Sequence, residues 1–127
     1  MKKINNKSLR EVANIAQPDP DLTKRWFNSQ AADLFIWHDG AEYIRFEFCY
    51  NKHINEHSLR WQEDVGFSHS RIDDGENTSR HKESPVLIET KEIDSDYIYE
   101  IFETLSVNIE PIVRAFILDL LVGDIHD

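Results

Sequence analysis

Apolar residues along the chain change their spacing once, close to Lys91. Up to that point they alternate with polar residues, the period of a half-buried strand; beyond it they recur at the helical period. Arg25-Trp26-Phe27 is a short predicted strand and Leu34-Phe35-Ile36-Trp37 a denser one. Asp39-Gly40 follows, and Asp-Gly between apolar runs marks a hairpin, because glycine supplies the positive φ of the turn. The return strand, Tyr43 to Tyr50, sets Ile44, Phe46, Phe48 and Tyr50 on one face and Arg45, Glu47 and Cys49 on the other. One apolar and one polar face characterise an antiparallel sheet covered on a single side. Leu59 and Trp61 continue the alternation, Gly66 to Ile72 forms another segment, and Pro85-Val86-Leu87-Ile88 a last one with proline at its start. Between these two, residues 73–84 contain no large apolar side chain and read as a solvated loop.

The final third is helical. Asp94 is placed as an N-cap, with Ile93 and Ile98 flanking it as a hydrophobic staple. Tyr97, Ile98, Ile101, Phe102 and Leu105 form one stripe; Ile112, Val113, Phe116, Ile117, Leu120 and Leu121 form a second. Pro111 suits a first turn and Gly123 a terminus. The short link between them predicts antiparallel neighbours. Strands first and helices last give an α+β fold: a meander-like antiparallel sheet of about five strands with the helix pair on its apolar face. The expected divisions of this single domain, 1–127, are an N-terminal segment (1–23), the sheet (24–90) and the helix pair (94–123). In the first segment, Ser8 and Glu11 make an S-x-x-E capping box ahead of Leu9, Val12, Ile15 and Ala16, which predicts a short helix, with an edge strand as the alternative. Pro18 and Pro20 end either one. Edge strands are expected near residues 25–28 or 85–90, either of which can pair across a two-fold axis; the oligomeric state is not legible.

Composition narrows the functional classes. The 127 residues are 40% hydrophobic, enough for a core without metal or disulfide, and Cys49 stands alone. No apolar run is long enough to span a bilayer, and the basic opening MKKINNKSLR has no apolar stretch behind it, so a cytoplasmic protein is expected. The net charge of −10 is unevenly placed: residues 1–63 carry nine Lys+Arg against nine Asp+Glu, and residues 64–127 carry five against fifteen. Such a surface repels nucleic acid and anionic membranes and attracts a basic protein partner.

Several patterns bear on chemistry. His53-Ile54-Asn55-Glu56-His57 fits H-x-x-E-H, a zinc-protease signature that needs both imidazoles on one helical face. Here it lies between two predicted strands with no room for that helix, so two histidines on a polar connection are expected instead. On the strand from Gly66, Phe67, His69 and Arg71 share a face, where the last two can grip an anion; Asp73, Asp74 and Glu76 can offer oxygens to a hard cation, or simply form a solvated turn. Ser68 and His69 point to opposite faces and cannot pair as nucleophile and base. Cys49 is expected to be a structural thiol. Trp26, Trp37 and Trp61 lie in successive strands, so two of them can line a groove on the uncovered face with Arg60, His69 and Arg71 nearby, or all can be core. The candidate ligand-binding set is therefore His57, Arg60, Trp61, His69, Arg71, Asp73, Asp74 and Glu76. No catalytic set, metal site or cofactor is expected.

Arg25-Trp26-Phe27, Asp33 to Trp37, Glu56 to Trp61, Gly66 to His69 and Asp73 to Glu76, taken together, resemble a group of small uncharacterised bacterial proteins. The resemblance implies a bacterial cytosolic origin and carries no activity, substrate or cofactor. The expected function is a non-enzymatic interaction module (adaptor, inhibitor or immunity-like), the alternative a small-ligand, anion- or metal-binding domain on a His/Arg/Trp face of the sheet.

Overall fold

The computed structural model describes residues 7–73, 86–89 and 93–123. Seven strands form one antiparallel sheet in chain order: β1 (Arg10–Val12), β2 (Thr23–Asn28), β3 (Ala32–Asp39), β4 (Glu42–Tyr50), β5 (His57–Gln62), β6 (Gly66–Asp73) and β7 (Val86–Glu89). Helices α1 (Ser95–Leu105) and α2 (Pro111–Gly123) follow and lie on one face, giving the expected α+β meander with more strands than expected.

Residues directly opposite each other across a ladder share a face, so the registers sort the sheet into rows. On the helix side, Phe27, Leu34, Phe48, Leu59 and His69 make the central row. Arg25, Ile36, Phe46, Trp61 and Phe67 lie to one side of it, and Ala32, Tyr50, His57 and Arg71 to the other. Onto these rows α1 presses Ile98, Phe102 and Leu105, and α2 presses Val113, Ile117 and Leu121. The Phe102 ring meets Phe48 edge-on at 5.2 Å, and Phe116 of α2 rests on Tyr43 at 4.8 Å and Trp61 at 5.5 Å. Each helix thus roofs a different end of β4. The Asp94 carboxylate accepts the Tyr97 N–H, capping α1 as expected.

Three expectations need correction. First, β4 does not alternate throughout. The β3–β4 register shifts between Trp37 and His38, so that Trp37 pairs with Arg45 while His38 pairs with Tyr43, and Ile44 is the extra residue of a bulge. Tyr43, not Ile44, joins the helix-side row. Second, of the two readings left open for the segment with the S-x-x-E box, the helix fails and the edge strand holds, as β1. A local cap contributes only about 1 kcal/mol, and tertiary contacts override it: Leu9 is fully buried and its N–H donates to the carbonyl of Leu105, the last residue of α1, at 2.8 Å. Third, of the two expected edges, 85–90 holds, as β7 at the end of the described sheet, and 25–28 does not, because β1 covers β2. The two stripes are also trimmed: Tyr97 and Ile112, expected in them, are exposed.

One arginine locks the N-terminal edge to the helices. Arg25 donates to Glu11 on β1 at 2.7 Å and pairs with Glu110, just ahead of α2, at 3.0 Å. Its hydrogen bonds hold the Glu11 carboxyl below the usual carboxylate range and raise its own affinity for its proton. Phe102→Ala removes the ring that seats α1 on the sheet and is expected to cost about 3–5 kcal/mol. Ile112→Ala, at an exposed position, is expected to stay within about 0.5 kcal/mol of wild type. Urea denaturation of both variants checks the difference.

Candidate functional site

The sequence-derived set divides between the two faces. His57, Trp61, His69 and Arg71 fall on the helix side and Arg60 on the other. Asp73 ends β6, and Asp74 and Glu76 lie outside the described residues. His69 and Arg71 therefore do not flank a groove beside Trp26 and Trp37: the even spacing that puts them on one strand face puts that face beneath the helices. Trp61 is likewise packed against the core, stacked on Phe46 at 6.0 Å. His53 sits in the turn after β4 with φ 70°, exposed, and His57 opens β5, so the H-x-x-E-H segment is a turn running into a strand, not a helix. Among the described residues no group of three His, Cys, Asp or Glu side chains is placed to hold a metal ion.

Beneath α1 the histidines do converge, as part of an aromatic stack. His57 and His69 lie face to face at 5.2 Å, and Tyr50 stacks on both. The Tyr50 hydroxyl and His69 Nε2 share a 2.6 Å hydrogen bond whose direction follows the imidazole tautomer. Both residues are buried, so the bond satisfies two polar groups that would otherwise be stranded. Burial, reinforced by nearby Tyr97 and Asp94, pushes the Tyr50 hydroxyl pKa up.

The opposite face carries no described helix, and its residues fall into three rows. Asn28, Asp33, Cys49, Ser58 and Ser70 form the first. Cys49, Ser58 and Ser70 are buried, so the expectation of a wholly wet face holds only in part. These side chains are small, and longer neighbours bond to them: Ser58 donates to Glu47 at 3.0 Å, and Arg60 donates to Ser70 at 3.0 Å. Burial, then the Glu47 carboxylate, pushes the Cys49 thiol up to about 12, which leaves it a poor nucleophile near neutrality.

The second row is Trp26, Phe35, Glu47, Arg60 and Ser68; the third is Lys24, Trp37, Arg45, Gln62 and Gly66. Phe35 stacks on Trp26 at 5.9 Å and leans on Trp37 at 6.2 Å. Lys24 stands over Phe35 and Trp37, and the Arg45 guanidinium lies 4.2 Å from the Trp37 ring centre. Where the third row ends in a glycine, a recess of about 280 Å³ opens, walled by Trp37, Arg45, Glu47, Arg60, Gln62 and Ser68. Of these, Arg60 belongs to the sequence-derived site and Trp37 to the groove. Arg45 was legible only as a polar-face residue, because its position opposite Trp37 depends on the bulge.

A second recess, about 400 Å³, runs beside α1 and is lined by Ala31, Asn51, Tyr97, Glu100, Ile101 and Thr104, among others. Asp96, Glu100 and Glu103 share one exposed side of α1, and none forms an ion pair among the described residues. Comparison with protein-family models, curated proteins and solved structures finds no match.

Stability is expected to fall on the alkaline side. The unfolded chain releases the Cys49 and Tyr50 protons near their ordinary values of 9.0 and 10.0, whereas the folded chain holds them higher. The folded state then binds more protons, so unfolding becomes easier as pH rises from about 8 to about 11. Urea midpoints across that range are expected to decline in wild type and to decline less steeply in Cys49→Ala and Tyr50→Phe.

Proposed function

We propose that this protein is a non-enzymatic interaction module of the cytoplasm that binds a basic protein partner along the exposed side of α1. The observation that carries the reading is the recess beside α1. Its lining joins the apolar surfaces of Tyr97 and Ile101 to the Glu100 carboxylate, with Asp96 and Glu103 along the same side of the helix. An apolar trough with an acidic rim suits a lysine or arginine side chain, whose aliphatic stem packs while its charged head meets carboxylate. Charge placement supports it: the described helical region, 93–123, carries Asp94, Asp96, Glu100, Glu103, Glu110 and Asp119 against Arg114 alone. A surface of one sign steers an oppositely charged partner and speeds association. Burial raises both the Cys49 thiol and the Tyr50 hydroxyl, so neither is an activated nucleophile.

Charge reversal tests this reading. Immobilised wild-type chain is expected to retain a discrete basic protein from a bacterial lysate at low salt and to release it as salt rises. Glu100→Lys combined with Glu103→Lys, at exposed positions where stability changes stay within about 0.5 kcal/mol, is expected to lose that protein. Identical retention by the double variant overturns the proposal.

A further inference from the structure

The recess on the other face of the sheet is a second, separate site. Two guanidiniums, those of Arg45 and Arg60, lie on its wall. The net charge is −10, so carboxylates are plentiful, yet neither Arg45 nor Arg60 forms an ion pair among the described residues. Arg60 spends one nitrogen on the Ser70 hydroxyl. Arg45 lies on the Trp37 ring, and its Nε is buried with no hydrogen-bond partner. Glu47 stands directly opposite Arg60 in the ladder, but it accepts from Ser58 and is not within ion-pair reach of either arginine. Two cations are thus fixed on the wall of one recess with donors to spare.

We propose that the recess walled by Trp37, Arg45, Arg60 and Ser68 binds a small flat molecule bearing a carboxylate or phosphate group. Oxyanion geometry matches the guanidinium fork, which donates two parallel hydrogen bonds to one carboxylate or phosphate. Trp37 and the Arg45 plane stacked on it offer a flat wall for a ring or another planar group. The Ser68 hydroxyl, in the same row as Arg60, supplies a further donor. A compact anion suits the site better than a long polyanion, for two reasons. The recess holds only about 280 Å³, and the repulsion from a −10 chain grows with the charge of the ligand. This site lies across the sheet from α1 and does not depend on the reading of the acidic recess.

Benzoate is the probe, with uncharged benzamide as its isosteric control and inorganic phosphate as competitor. Titration followed by tryptophan fluorescence and by amide NMR shifts is expected to show saturable benzoate binding centred on residues of β3 to β6, with phosphate displacing it. Arg45→Gln and Arg60→Gln are each expected to weaken binding by about tenfold or more, as loss of a charge-assisted fork does. Lys24→Gln, which removes a cation outside the recess, is expected to change it far less. Thermal unfolding of each variant establishes that it is folded; Arg60→Lys, which keeps the charge and loses the fork, serves if Arg60→Gln is not. Equal binding of benzamide, binding unchanged in both arginine variants, or no saturable benzoate shift would each overturn the proposal.

Discussion

Tyr43, Phe46, Phe48 and Tyr50 all have to reach the helices, and a strand of strict alternation cannot deliver them from one face. The hairpin at Asp39-Gly40 makes the conflict sharper. Its turn pairs Asp39 with Glu42 and His38 with Tyr43. Continued without interruption, that register would set Ile36 opposite Arg45 and Leu34 opposite Glu47, burying a charge against each aliphatic residue. One extra residue, Ile44, resolves both problems. It slides the ladder so that Ile36 meets Phe46 and Leu34 meets Phe48, while Tyr43 keeps its place under Phe116. A one-residue slip inverts every side chain in a strand, so the core beneath the helices and the arginine recess on the far side are two results of the same insertion.

The parts of this architecture that follow from local pattern were legible in the sequence. The Asp-Gly hairpin, the alternating strands, the shift to helical spacing and the Asp94 cap each rest on residues close together in the chain. What escaped depends on partners distant in sequence. The Ser8–Glu11 box is a sound local helix signal, but Leu9 finds its place only against Leu105. His69 and Arg71 were placed on the correct strand face together, yet nothing within β6 says which face the helices will take. Arg45 went unrecognised as a site residue because its stacking on Trp37 requires the bulge, and a bulge leaves no periodic trace. Cys49, placed on the polar face, is buried there with Ser58 and Ser70; their small size lets Glu47 bond to Ser58 and Arg60 to Ser70 from the same face.

The two faces differ electrostatically as much as they do in packing. The helical layer concentrates carboxylates on its solvent side, while the far side of the sheet gathers Lys24, Arg45 and Arg60 around aromatic rings. Arg25, on the helix side, spends its charge on two glutamates from different elements. It cross-braces the sheet edge and the inter-helix turn, with both carboxylates partly exposed and the pair therefore sensitive to salt.

The bond from Leu9 to Leu105 also has a bearing on how the chain matures. During synthesis the early strands can zip together as they emerge, since each neighbour in the sheet is a neighbour in sequence. The apolar side of that nascent ribbon, however, stays bare until α1 and α2 have emerged behind it, and Leu9 waits with it. Growth of the polypeptide and completion of its interior are thus separated in time. For that interval the half-built protein presents a greasy slab of phenylalanines to whatever chaperone, or whatever sister chain, is nearby.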